Sequence, residues 1–84
     1  MASLRVVTLN IWNRLGPWEE RLAVIRDGMR ALAPDLVGLQ EVIDASGHTQ
    51  AEDIAEGLGY HTTYGLANTY GGGVSIGNAV LSRW

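Results

Sequence analysis

The chain has 84 residues, enough for one small domain and not for two. Its hydrophobic fraction of 46% excludes a disordered chain. A net charge of -3 argues against a broad basic surface for nucleic acid, and the absence of cysteine excludes disulfides and thiolate zinc sites.

Residues 1–12 are too short and too interrupted for a signal peptide or a membrane span, so a cytoplasmic protein is the default expectation. Leu4 to Trp12 reads as a strand. Its near-continuous apolar run (Val6, Val7, Leu9, Ile11, Trp12) predicts cover on both faces. Asn13 to Gly16 is a loop. Pro17 suits the first turn of a helix, and Glu19 and Glu20 suit its positive end. Trp18, Leu22, Ile25, Met29 and Leu32 recur at helical spacing, with Arg21, Arg26 and Arg30 largely off that stripe, and Pro34 ends the helix.

Asp35 to Val42 is a second strand. Strand, helix, strand with short links is a βαβ unit, so the two strands are expected to be parallel, with their C-terminal ends at one sheet edge. Asp44 to His48 reads as a polar loop. Thr49 and Glu52 have capping-box spacing, and Ala51, Ile54, Ala55 and Leu58 give a second helical stripe that Gly59 can close. Tyr60 to Tyr64 is a short strand, Gly65 to Gly73 a flexible turn region, and Val74 to Trp84 a last strand. Nothing polar follows that strand, so its sheet is expected to end on an uncovered edge, as in a truncated domain.

Two residues at the shared edge carry chemistry. Asn10, at the end of the first strand, needs a hydrogen-bond or metal partner, although asparagine also serves as an ordinary turn residue there. Glu41 follows Leu36, Val37, Gly38 and Leu39 on a strand expected to be buried, where a carboxylate needs a cation. That cation is either a metal ion or an arginine, with Arg5 and Arg14 as the candidates. Gln40 should face the other way by strand alternation and serve structure. Together Asn10 and Glu41 offer two oxygen donors, which suits magnesium, or manganese, with water completing the shell. Trp18 is expected to anchor its helix, and Trp12 and Trp84 to pack on the sheet.

The segments Thr8–Asn13, Pro34–Val42 and Gly77–Trp84 resemble, in order and spacing, the opening blocks of the endonuclease/exonuclease/phosphatase superfamily. The resemblance implies the N-terminal part of a four-layer α/β sandwich: a βαβ unit, a second helix, then two further strands. It places Asn10 on the family's metal-site asparagine and Glu41 on its principal metal-binding glutamate. It sets Asn78 and Arg83 on a strand bordering the cleft, where either could meet a substrate phosphate. For each of these two, a plain strand-end role is the stronger expectation.

The implied activity is divalent-metal-dependent hydrolysis of phosphodiesters or phosphomonoesters, with Mg2+ (or Mn2+) as cofactor. The Leu9-Asn10-Ile11-Trp12-Asn13 form is similar to the branch acting on small phosphate esters and lipid headgroups, with nucleic acid as the other possibility. The family's later blocks, an Asp-x-Asn element, an aspartate that orients a histidine, and a final Asp-His pair, have no counterpart in these 84 residues. His48 and His61 lie outside matching blocks and read as a loop and a strand-surface residue. Loss of acid–base help is worth roughly 10²–10⁴-fold, so the chain alone is expected to be inactive or nearly so.

Two other classes compete. One is a truncated copy that serves as a binding or assembly module. The other is a βαβ nucleotide module with Gly71, Gly72 and Gly73 around a phosphate. That reading is the weaker, because these glycines do not lead into a helix and the chain has no lysine.

Overall fold

The computed structural model describes residues 3–84, so the start of the segment weighed as a leader lies outside it. Its elements are β1 (Val6–Asn10), α1 (Trp18–Leu32), β2 (Leu36–Ala45), β3 (His48–Thr49), α2 (Gln50–Ala55), β4 (His61–Gly71) and β5 (Val74–Ser82). β1 and β2 pair in parallel from Val6↔Leu36 to Asn10↔Gln40, as the βαβ unit requires, but β2 runs on to Ala45, so Glu41 lies within its strand and not at a shared C-terminal edge. The sheet order is β1-β2-β5-β4, with β5 antiparallel to both neighbours and the short β3 paired to the end of β2.

α1 follows its apolar stripe. Leu22 and Met29 are buried, while Trp18 and Ile25 pack against the core from its margin. The helix closes at Ala33, which adopts a left-handed conformation and donates its N–H to the Met29 carbonyl, just ahead of Pro34. α2 is capped by Thr49, whose Oγ1 accepts from Glu52 N at 3.1 Å. The reciprocal half of the box is absent, because the Glu52 carboxylate turns to His48 instead. Ala51, Ile54 and Ala55 are buried, and the helix ends at Ala55, before Gly59.

Both helices pack on one face of the sheet. Val37, Leu39, Val42, Ala79 and Leu81 meet Leu22, Met29, Ala51, Ile54 and Ala55 there in one apolar cluster. The other face is bare among the described residues. Val6 is 61% exposed and Val80 49%. This corrects the expectation that both faces of the first strand are covered. The tryptophans depart likewise: Trp12 and Trp84 are exposed rather than packed on the sheet.

The largest correction concerns residues 65–73. Instead of a loose turn, β4 continues to Gly71 and pairs with β5 through Gly71↔Val74, so the reversal falls at Gly72 and Gly73. Both have positive φ, which glycine adopts without a Cβ penalty. Gly71–Gly73 thus form a hairpin end and not a phosphate-binding loop at a helix start. Asp44 and Ala45 likewise belong to β2, paired with Ser75 and Val74, rather than to a loop.

Candidate metal centre

Glu41 sits on a β-bulge. In the β2–β5 ladder Leu39 pairs with Ala79 and Val42 with Gly77, so Gln40 and Glu41 together face the single residue Asn78. Strict alternation would send Glu41 to the same face as Val37 and Leu39, into the apolar cluster. The extra residue resets the phase and puts Val42 there instead. Glu41 pays for this with φ +54°, a left-handed backbone that costs a non-glycine residue roughly 1–3 kcal/mol. Its carboxylate is thereby spared a burial that would cost more without a partner. Gln40 and Glu41 are both half-buried, and Gln40 serves structure as expected, its Nε2 donating to Thr8 Oγ1 at 3.1 Å.

The loop after β1 wraps onto this bulge. Ile11 N donates to the Gln40 carbonyl at 3.0 Å and Asn13 N to the Glu41 carbonyl at 2.9 Å. Trp12 and Asn13 also have positive φ, at +60° and +42°. Asn10 Nδ2 donates to Glu41 Oε2 at 2.6 Å, and Asn13 Nδ2 to Glu41 Oε1 at 3.3 Å. Asn10 Oδ1 accepts from Trp12 N at 2.8 Å. Because that N–H can only donate, the amide oxygen must face Trp12 and the amide nitrogen must face the carboxylate. Asn10 and Glu41 are therefore brought together as the sequence predicts. In this arrangement Asn10 holds Glu41, and Glu41 presents the oxygens.

Three residues passed over in the sequence complete the arrangement: Asn13, Arg21 and Gln50. Arg21 reaches from α1 to four loop carbonyls, through Nε to Ile11 (3.0 Å), Nη1 to Leu15 (2.9 Å), and Nη2 to Trp12 (3.3 Å) and Asn13 (3.2 Å). Its guanidinium also lies 5.5 Å from the Trp12 ring centroid. Gln50, at the start of α2, bonds Ile43 N and the Asn13 carbonyl, each at 2.9 Å. Helical periodicity placed Arg21 off the apolar stripe and carried no sign of what it would bind.

The arginines weighed as partners for Glu41 are engaged elsewhere. Arg5 bonds the Leu32 carbonyl, and the Arg14 guanidinium lies 4.9 Å from the Trp18 ring centroid. Asn78 is exposed and stands opposite the bulged pair, next to the site. Arg83 does not reach it. Ser82 pairs with Leu36, so Arg83 lies at the other end of β2, where its Nε bonds the Pro34 carbonyl at 3.1 Å and Asp35 is 3.6 Å away. His61, which also pairs with Ser82, is at that far end too, exposed on its strand as expected. His48 precedes α2 and bonds Glu52 and Asp53. Among the described residues no three His, Asp or Glu side chains converge as a metal cluster. The oxygens of Glu41 and Asn10 are of the kind that suits a hard cation keeping most of its water.

A sequence model of the Endonuclease/Exonuclease/phosphatase family matches residues 7–84. The chain belongs to this family. The endonuclease/exonuclease/phosphatase from Beutenbergia cavernae DSM 12333 is 36% identical, with a TM-score of 0.71 over 95% of this chain and 26% of that one. A family protein from Leptotrichia buccalis C-1013-b superposes with a TM-score of 0.82 at 16% identity, over 96% of this chain and 38% of that one. Humanized D. rerio TDP2 gives 0.51 at 18% identity, over 95% of this chain and 30% of that one. At these identities the last two show the fold alone. No curated protein sequence matches. The α/β arrangement, a βαβ unit and its sheet, thus matches part of the family fold, and the chain spans well under half of each solved relative. No helix among the described residues is long and apolar enough to cross a membrane.

Proposed function

We propose that this chain carries the first half-site of a divalent-metal-dependent phosphoesterase, with Glu41 as the cation's carboxylate ligand. One observation carries the reading: Glu41 occupies a left-handed bulge, and each of its carboxylate oxygens takes a hydrogen bond from an asparagine amide while no arginine among the described residues pairs with it. Backbone strain held in place around a polar side chain is characteristic of functional sites. Family membership supports magnesium as the ion, and manganese suits the same oxygen donors.

When bound, the cation would act as a Lewis acid on the phosphoryl group and stabilise the leaving oxygen. The chain's own residues do the positioning. Asn10 and Asn13 orient the Glu41 carboxylate, and Asn10 Oδ1 keeps a lone pair for a cation or its water. Asn78 is exposed beside the bulge, and in this reading it would donate to a substrate phosphate. Arg83 is at the wrong end of β2 for that role. The net charge of -3 and the Leu9–Asn13 form favour a small phosphate ester or lipid headgroup over nucleic acid as substrate.

A second reading is a catalytically inert binding or assembly module. The bare sheet face bearing Val6 and Val80 favours it. Magnesium titration of the wild-type chain and of Glu41→Ala, beside an assay on a chromogenic phosphodiester, separates the two. The half-site predicts cation binding weakened at least tenfold in the variant, with little or no turnover by either protein. Equal affinity in both would leave only the module.

A further inference from the structure

Gln50 lies outside the three segments Thr8–Asn13, Pro34–Val42 and Gly77–Trp84, yet it is 1% exposed and bonded at both ends of its amide. Its Oε1 accepts from Ile43 N, two residues beyond Glu41 on β2. Its Nε2 donates to the Asn13 carbonyl, in the loop that follows β1. The same carbonyl receives Arg21 Nη2 at 3.2 Å. Asn13 in turn touches Glu41 twice, through its backbone N–H and through Nδ2. One buried amide therefore ties the strand that carries Glu41 to the loop that holds its carboxylate.

We propose that Gln50 is a positioning residue for the metal half-site, acting through Asn13 to set the orientation of the Glu41 carboxylate. This rests on the reading of Glu41 as a cation ligand. Asn13 adopts a left-handed conformation that asparagine tolerates as a single residue, and its place against Glu41 is fixed by what its carbonyl accepts. Arg21 supplies charge from one side, and Gln50 supplies a donor from the other. Gln50 is bonded at both ends and buried, so it has no freedom to release the loop while α2 stays docked. Removal of an outer partner of a metal ligand typically weakens metal binding by about 10–100-fold.

The test compares the wild-type chain with Gln50→Met, which keeps the volume and loses both hydrogen bonds, and with Thr49→Ala, which removes the adjacent cap of α2 without touching Asn13. Two readouts are taken. The first is amide hydrogen exchange in metal-free protein at Asn13, against amides of the β4–β5 hairpin. The second is Mn2+ affinity. A positioning role predicts exchange at Asn13 at least tenfold faster relative to the hairpin in Gln50→Met only, with Mn2+ affinity down by about 10–100-fold. If Asn13 and the hairpin speed up in the same ratio, Gln50 is merely structural and the proposal is overturned. If Gln50→Met does not fold, Gln50→Asn, one methylene too short to span both partners, carries the same comparison. Absence of Mn2+ binding in the wild type would sink the metal reading by itself, while the metal-free exchange result still decides whether Gln50 sets the Asn13–Glu41 contact.

Discussion

Asn10, at the end of β1, donates from Nδ2 to Glu41 Oε2 at 2.6 Å on the bulge within β2, while its own Oδ1 is fixed by Trp12 N. The pair is a neutral donor facing a carboxylate. Replacing Asn10 by aspartate keeps the acceptor for Trp12 N but sets two carboxylates against each other. Asn10→Asp should lower the melting temperature near neutral pH and recover on millimolar Mg2+. The loss should also shrink on acidification, as the two facing carboxyls come to share a proton. Thermal melts with and without Mg2+ at two pH values check this. A loss that ignores both cation and pH contradicts the shared-site geometry.

The loop that carries Trp12 and Asn13 depends on Arg21, whose guanidinium serves four carbonyls. Arg21→Ala should cost about 2–3 kcal/mol in denaturant unfolding, since hydrogen bonds from a charged donor are the stronger class. Arg21→Lys should recover less than half of that, because an ammonium cannot reproduce the planar fork. Full recovery by lysine would mean that charge alone matters at this position.

How much of this was legible in the sequence depends on the range of the interaction that decides each feature. β1, α1 and β2 follow from local periodicity, and Thr49 as a cap follows from a spacing of three residues. The Asn10–Glu41 meeting followed from βαβ geometry alone. The bulge left a trace that strand counting overlooked: Val37 and Leu39 share a parity that Val42 breaks, and that phase change marks the extra residue. The length of β4 was hidden because its glycines speak for a turn locally, whereas pairing with β5 is non-local. Arg21 and Gln50 serve backbone carbonyls, which no side-chain pattern announces.

Two glycines should respond oppositely to alanine. A Cβ on Gly77 would lie 2.0 Å from the Gly65 carbonyl oxygen, a backbone atom in the paired strand that cannot step aside. Gly77→Ala should therefore force β4 off β5, seen as lost amide protection along the hairpin. Gly28, within α1, has nothing within 4 Å of a new Cβ. Gly28→Ala should stabilise the chain by about 0.5–1 kcal/mol through helix propensity. Unchanged hairpin protection in Gly77→Ala would contradict the β4–β5 register.

His48 bonds Glu52 through Nδ1 at 2.8 Å and Asp53 through Nε2 at 2.6 Å. Only the imidazolium donates from both nitrogens. The hydrogen bond and charge of Asp53, with smaller help from Glu52 and Glu56, raise the His48 pKa above its ordinary value. A raised folded-state pKa gives stability that is fully present below about pH 6.5 and lost as pH climbs through the raised value. Melting temperatures of the wild type should thus fall toward those of His48→Gln as pH rises through that window. A constant difference between the two proteins would show that the clip does not titrate.

The central claim is that a divalent cation sits at the bulge, on Glu41. Paramagnetic broadening by substoichiometric Mn2+ tests it directly, because the metal erases nearby amide signals and spares distant ones. The account predicts loss of signal at residues 10–13, 40–42 and 78, with His61 and Arg83 at the opposite end of the sheet unaffected. Broadening centred on Glu52 and Asp53, or spread evenly over the acidic surface, would contradict it.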